Sequence, residues 1–159
     1  MELVLLLILI IFANGAPIIV HKLIGQKYNY PMDFGVKFFD QRRILGPSKT
    51  IRGVIASILL TTLVAPLFGF SMTIGFLVGS GSMLGDLLTS FFKRRFGMVS
   101  SSMALGVDQM LESLLPLLVC KSLLALNWNQ ISWLVFIFFV SCIVLSRILF
   151  KLGIREKPY

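Results

Sequence analysis

The sequence predicts an all-α polytopic membrane protein of five transmembrane helices, with its N-terminus outside and its C-terminus in the cytoplasm. Composition is the first observation, because 57% of the residues are hydrophobic and only 14% are charged, whereas soluble domains are roughly 45–50% apolar. The second is a series of apolar runs of about the length that crosses a bilayer. These predicted spans are about residues 3–20, 54–68, 72–92, 104–124 and 131–150.

The placement of the cations is the third observation and fixes the predicted orientation. Lys and Arg gather in the connections 21–53 and 93–103 and in the tail 151–159, while the other connections carry almost none. Basic connections stay in the cytoplasm by the positive-inside rule. We therefore expect one membrane-embedded domain, 1–159, in the cell membrane. The net charge of +8 does not indicate a nucleic-acid partner, since such a protein would not carry these spans.

The third span ends in an unusual stretch, residues 84–95. Asp86 interrupts the apolar run, and Lys93, Arg94 and Arg95 follow two helical turns later. Because a carboxylate at membrane depth is costly, it is by default a functional-site hypothesis. Helical spacing places Ser82, Asp86 and Lys93 on one polar face. Glycines in the same span, which permit close helix packing, are Gly75, Gly79, Gly81 and Gly85.

Two further carboxylates occupy the first turns of the fourth span. Asp108 and Glu112 are four residues apart and share a helix face. With Asp86 across the short connection, they form a candidate site for a divalent metal. Mg²⁺ prefers one or two carboxylates together with waters and substrate phosphates.

The first basic connection contains a stretch, 44–53, that is similar in kind to a phosphate-binding loop. Gly46 and Pro47 suit a tight turn, and Lys49 and Arg52 surround the predicted start of a helix. The Walker A spacing is absent, and a plain juxtamembrane basic loop is the commoner explanation. Asn14, near the end of the first span, fits a hydrogen bond between helices, a helix-end cap or a ligand-facing position equally well.

This combination favours a phosphate-transferring enzyme with a membrane-resident substrate and a site open to the cytosol. Lys and Arg suit phosphate oxygens, and His21, the single histidine, cannot complete a Ser-His-Asp triad. One alternative is a small transporter or lipid-binding protein, although the outer connections lack charges for an anion path. Another is a structural bundle whose cations only fix topology, which leaves Asp86 and Asp108 without a purpose.

Five sequence blocks resemble the CDP-archaeol synthase family, a relative of the phosphatidate cytidylyltransferases, over almost the whole chain. They are ANGAP at 13–17, PMDFG at 31–35, RRILGPSKTIRG at 42–53, GDLLTSFFKRR at 85–95 and VDQ at 107–109. The resemblance implies that a lipid phosphate attacks the α-phosphorus of CTP. Pyrophosphate then leaves, a CDP-lipid remains in the bilayer, and Mg²⁺ bridges the nucleotide phosphates.

The resemblance also implies roles for residues at matching positions. Asp86 and Asp108 become catalytic metal-site carboxylates, Lys93 a catalytic phosphate ligand, and Asn14 a residue of the site wall. The remaining nucleotide-binding positions are Ser48, Lys49, Thr50, Arg52, Arg94 and Arg95.

Two departures from the family pattern leave questions open. Pro47, Ser48 and Ile51 replace the usual Asp, Gly and Trp of the basic loop. Leu111 stands where the phosphatidate-type signature has a second Asp, and Glu112, one residue on, is turned by about 100° around the helix. Whether Glu112 is a third metal ligand, whether the lipid has ether or ester chains, and whether the chain forms a homodimer are therefore open.

Overall fold

Five α-helices make up the fold of this computed structural model, which describes residues 1–100, 102, 106–151 and 153. A 3₁₀ turn, Ala65–Phe68, extends the second helix. Within the described residues there is no strand beyond two isolated bridges, so the all-α prediction is confirmed. The helices are α1 (Glu2–Ile24), α2 (Ile51–Val64), α3 (Met72–Arg95), α4 (Val107–Cys120) and α5 (Trp128–Lys151).

Four helical segments are long and apolar enough to cross a membrane. They are α1, the continuous segment Ile51–Phe68, α3 and α5. The helix α4 has only 14 residues and is about 21 Å long. The predicted run 104–124 is therefore longer than the helix: the chain leaves it after Cys120 and turns through 121–125. The predicted start at Ala104 lies outside the described residues.

Several helix ends differ from the predicted boundaries by three or four residues. The helix α1 continues to Ile24, so the first basic connection is 25–50 rather than 21–53. Thr50 caps α2 by accepting a hydrogen bond from Gly53 N at 3.2 Å. The helix α3 takes in Lys93, Arg94 and Arg95, where cations interact favourably with the exposed carbonyls of a helix C-terminus.

Glycines allow α3 to pack closely between α2 and α4, as predicted. A β-carbon on Gly79 would lie 2.9 Å from Ile58 Cα of α2, and one on Gly81 would lie 2.7 Å from Pro116 Cα of α4. One on Gly85 would overlap the carbonyl oxygen of Leu111. Small residues on α3 therefore determine how near α4 comes to Asp86.

The two ends of the bundle differ in character. One end holds an apolar core, and the other collects the buried polar side chains of α3 and α4. The core cluster consists of Leu6, Leu9, Ile10, Ala13, Ala65, Val78, Leu117, Cys120, Leu126, Ile131, Leu134 and Phe138. Asp86, Lys93 and Asp108 lie at the opposite end, where Lys49 of the connection 25–50 contacts Asp86.

Candidate functional site

The centre of the polar end is an ion pair between the first connection and α3. Lys49 Nζ lies 2.5 Å from Asp86 Oδ1 and 2.6 Å from Oδ2. Both side chains are about one-fifth exposed. Burial lowers the pKa of Lys49. The charge and hydrogen bond of Asp86, together with the nearby carboxyl groups of Glu112 and Asp108, raise it by more, so the net pKa is above its usual value. Lys49 is therefore a fixed cation at neutral pH.

A second lysine–aspartate pair joins α3 to α4. Lys93 Nζ donates to Asp108 Oδ2 at 2.9 Å and to Ser102 O at 3.1 Å. Both side chains are about nine-tenths buried. Glu112 is partly buried one turn further along α4 and lies near Lys49 and Asp86. The structure thus brings together the predicted residues Lys49, Asp86, Lys93, Asp108 and Glu112.

Asp33 organises the first connection, although it is not among the predicted site residues. Its buried carboxylate accepts hydrogen bonds from the backbone of Gly35, Leu45 and Gly46 at 3.0, 3.1 and 2.8 Å. The Arg43 guanidinium donates to it at 2.5 Å. Burial raises the pKa of Asp33, but the Arg43 guanidinium and the three backbone N–H groups lower it more, so the net pKa lies well below the usual range. The signal in the sequence was an acid among many cations in this connection.

This carboxylate shapes the segment that leads to Lys49. Gly46 adopts a φ of +103°, a conformation that glycine takes without strain, and its N–H points to Asp33. Lys49 follows three residues later and is aimed at Asp86. The hydrogen bonds of Asp33 thereby set the reach of Lys49 into the site.

A basic cavity of about 300 Å³ opens between the first connection and the end of α3. Arg42, Arg43 and Arg94 line it together with Gly46. Arg94 donates to Val99 O at 2.7 Å, and Arg42 donates to the carbonyl of Arg95 at 2.8 Å. Of these arginines only Arg94 was predicted as a ligand. The cavity has the charge and size to receive an anionic group.

The other two predicted arginine ligands are engaged elsewhere. Arg52 donates to the backbone carbonyls of Gly25 and Lys27 and lies 3.1 Å from His21 Nδ1. Arg95 donates to Asp40 Oδ1 at 2.6 Å and to Arg43 O at 2.8 Å. Both arginines fasten the first connection to helix ends.

The smaller predicted residues make local contacts. The Asn14 amide donates to Ile10 O, one turn back in its own helix, at 3.0 Å. Ser48 Oγ lies 3.2 Å from Ser100 Oγ and so links the two connections. Thr50 is the N-cap of α2. Ser48 and Thr50 flank Lys49 and stay beside the candidate site, whereas the amide of Asn14 is occupied within α1.

Known proteins resemble this chain in sequence and in fold. The chain matches the CarS-like CDP-archaeol synthase family over residues 1–159. This chain belongs to the CDP-archaeol synthase family. It is 30% identical to the CDP-archaeol synthase of Sulfurisphaera tokodaii over 84% of each chain. With the enzyme of Thermococcus onnurineus it shares 31% identity, over 93% of this chain and 90% of the relative.

A solved structure supports the fold independently. An intramembrane enzyme for archaeal membrane lipid biosynthesis superposes with a TM-score of 0.77, over 90% of this chain and 91% of that chain, at 23% identity. As a member of the CDP-archaeol synthase family, the chain is a membrane-embedded enzyme that transfers a cytidylyl group from CTP to a lipid phosphate.

Proposed function

We propose that this CDP-archaeol synthase relative makes a CDP-lipid with ether-linked chains at the cytoplasmic face of the cell membrane, with Mg²⁺ as its cofactor. The observation that carries this proposal is that three separate segments contribute two lysine–aspartate pairs, Lys49–Asp86 and Lys93–Asp108. A basic cavity lies between the first of these segments and the end of α3. The CDP-archaeol of the relatives' names is the ground for proposing ether chains.

The donor atoms at this end suit Mg²⁺. Asp86 and Asp108 would hold the ion, with Glu112 as a third carboxylate within reach. Among the described residues no group of three or more acidic, histidine or cysteine side chains forms a metal cage. Mg²⁺ does not require one, because it is commonly bound through one or two carboxylates plus substrate phosphates. When bound, it would neutralise charge on the nucleotide phosphates.

The lysines have a second partner available in this chemistry. Lys49 and Lys93 carry flexible ammonium groups, which bind phosphate oxygens as point charges. Arg94, with Arg42 and Arg43, offers planar guanidinium groups that bind phosphate oxygens in pairs. Ser48 and Thr50, on either side of Lys49, are proposed nucleotide contacts. These groups would align the lipid phosphate with the α-phosphorus of CTP.

The proposed reaction forms one bond and breaks one. An oxygen of the lipid phosphate forms a bond to the α-phosphorus of CTP, and the bond between that phosphorus and the bridging oxygen of the β-phosphate breaks. Pyrophosphate leaves, and the CDP-lipid stays in the bilayer. Alignment and charge neutralisation supply most of the catalysis at a phosphorus centre.

Five crossings with the N-terminus outside are part of the proposal. Asp108, near the start of α4, contacts Lys93 of α3, and Cys120 at its end packs in the same core as Val78 of α3. Val78 and Lys93 are about 22 Å apart along α3. The helix α4 and the segment after it therefore run most of the way back along α3, which supports a fifth crossing. A homodimer is the proposed assembly, and the mass of the purified particle in a detergent micelle would measure it.

The test is a substrate panel on the purified protein in detergent or nanodiscs. Four nucleoside triphosphates are combined with a diether and a diester lipid phosphate, with Mg²⁺ or with excess chelator. We expect pyrophosphate and a CDP-lipid only from CTP, the diether lipid to be used at least as well as the diester, and the chelator to abolish turnover. The proposal fails if neither lipid gives product with CTP. Turnover in excess chelator would contradict only the Mg²⁺ requirement and would leave the proposed reaction in place.

A further inference from the structure

A short hairpin in the first connection presents apolar side chains that nothing in the described protein covers. We call residues 36–44 the aromatic hairpin. Phe38 N donates to Arg42 O at 2.8 Å and Ile44 N donates to Val36 O at 3.1 Å. The turn closes with Gln41 N donating to Phe38 O at 3.0 Å. Phe39 stands at the tip of this turn.

The exposure of this hairpin is unusual for a surface in water. Phe39 is 94% exposed and Val36 is 54% exposed. Val36 and Phe38 alternate along one strand of the hairpin and so share a face. Contiguous exposed apolar surface commonly marks a contact with a partner or a membrane.

Ring contacts join the hairpin to the outer surface of α3. The centroids of Phe39 and Phe38 are 5.0 Å apart, those of Phe38 and Phe91 are 5.7 Å apart, and those of Phe91 and Phe92 are 5.8 Å apart. Phe92 is exposed on the same side of α3 as Leu88. Because α3 is long and apolar enough to cross a membrane, the aromatic face of the hairpin continues a surface that faces lipid.

The helical rise gives the level of the hairpin in the bilayer. Phe91 lies about 29 Å along α3 from Met72, and the hydrocarbon core of a bilayer is about 30 Å thick. Phe91 and the Phe38 ring that contacts it therefore lie where the hydrocarbon ends and the headgroups begin. Aromatic side chains are enriched at this depth.

Arg95 fixes the hairpin at that level. Its guanidinium lies 4.8 Å from the Phe38 ring centroid and 5.2 Å from that of Phe91. It also donates to Asp40 at the turn. The exposed Lys37 adds a positive charge suited to anionic headgroups.

From these contacts we propose that the aromatic hairpin is an interfacial anchor. It inserts Phe39 and Val36 into the headgroup–acyl boundary of the same bilayer that α3 crosses. This anchor would hold the Arg42 and Arg43 side of the basic cavity at headgroup depth. The inference concerns binding to lipid and does not depend on the nucleotide chemistry.

The test places a fluorescent reporter at the tip of the hairpin. Phe39→Trp is made in a Trp128→Phe/Trp133→Phe background, so that the introduced indole is the only one, and the protein is reconstituted into vesicles of a diester phospholipid. Vesicles carry bromine either near the headgroup or near the chain end. Leu84→Trp in the same background, at an exposed position midway along α3, is the matched control for a deep site.

We expect the Phe39→Trp variant to lose more fluorescence with bromine near the headgroup than near the chain end, and the Leu84→Trp variant to show the reverse order. The indole at the hairpin tip should also emit further to the blue than free tryptophan and be shielded from the aqueous quencher acrylamide. Val36→Trp, at another exposed apolar position of the hairpin, repeats the test if the first variant does not fold. Strong acrylamide quenching without a bromine effect would overturn the anchor. Emission that changes with the protein-to-lipid ratio would also overturn it, because the hairpin would then contact a second copy of the chain instead of lipid.

Discussion

Asp33 shows how one side chain can govern a whole connection. Its carboxylate receives three backbone N–H groups and the Arg43 guanidinium, and the segment so held ends in Lys49. Each hydrogen bond to a charged group contributes roughly 1.5–3 kcal/mol to the free energy of unfolding. Asp33 is thus a positioning residue for the Lys49–Asp86 pair rather than a ligand.

We predict that Asp33→Asn loosens the first connection and destabilises the protein by about 2 kcal/mol. Thermal unfolding in detergent and the rate of proteolysis within residues 25–50 measure the effect. Asp40→Asn is the control, because Asp40 is the more exposed partner of the Asp40–Arg95 pair, and a pair at the surface should contribute only about 0–1 kcal/mol. Equal effects of the two substitutions would remove Asp33 from its central position.

The pH dependence of the same residue has a definite sign. Because its pKa is lowered on folding, the stabilisation from Asp33 is fully present above the unfolded-state value of about 4. It declines as the pH falls from there toward the lower folded-state pKa. The stability difference between the wild type and Asp33→Asn should therefore be constant from pH 7 down to about pH 4 and shrink below it. A difference that changes between pH 5 and 7 would contradict this assignment.

For single residues, the sequence indicated which charged side chains stand out but not the groups to which they bind. Asp86 was predicted as a carboxylate that interrupts an apolar run, and helical spacing placed Lys93 on the same face of that helix. Asp33 was missed, since its partners Leu45 and Gly46 are backbone groups brought near only by the fold of the connection. Arg52 and Arg95 were predicted as phosphate ligands, and in the structure they donate to backbone carbonyls, as Arg94 does. The positions of those carbonyls carry no sequence signal.

Among the elements, α3 is the one on which the site depends. Its exposed side carries Leu84, Leu88 and Phe92, and its buried side carries Ser82 and Lys93. Glycines on the buried side bring the backbone of α4 close enough for Asp108 to meet Lys93. The apolar run of this segment predicted its helix, and its glycines predicted the close packing. The early end of α4 was not predicted, because the apolar run continues past Cys120 into the turn at 121–125.

Gly85→Ala tests this packing. The added β-carbon would overlap the carbonyl of Leu111, and overpacking of this kind costs about 1–3 kcal/mol. We expect a lower unfolding temperature in detergent. Gly15→Ala in α1 is the matched control, because no atom lies within 4 Å of its added carbon and alanine favours a helix by about 0.5–1 kcal/mol. A Gly85→Ala variant as stable as the Gly15→Ala variant would refute the close contact.

The whole molecule places its chemistry at one end of a lipid-facing bundle. The polar end holds the two ion pairs and the basic cavity, and the apolar core fills the other end. Charge clustering in the sequence predicted a basic end of the bundle, since the predicted five spans would put all basic connections on one side. The helix α4 is about 21 Å long, whereas the hydrocarbon core of a bilayer is about 30 Å thick. This shortfall is the feature that leaves four crossings as the alternative.

Cysteine labelling distinguishes five crossings from four. Single cysteines at Gln26 and Ser122 are introduced after replacing Cys120 and Cys142 with serine. With five crossings, a membrane-impermeant maleimide added to intact cells should label Ser122→Cys and leave Gln26→Cys unlabelled until the cells are opened. Labelling of neither position in intact cells would favour four crossings. Labelling of Gln26→Cys in intact cells would reverse the orientation.

The measurement that tests the central claim most directly is CDP-lipid formation by Asp86→Asn. Wild-type protein, Asp86→Asn and the control Glu2→Gln, which removes an acid at the far end of α1, are assayed with CTP, a diether lipid phosphate and Mg²⁺. Unfolding temperatures confirm that each is folded. We predict that Asp86→Asn lowers turnover by about two to three orders of magnitude, as when one preorganised electrostatic group is removed, and that Glu2→Gln matches the wild type. A folded Asp86→Asn variant with wild-type turnover would contradict the proposed site.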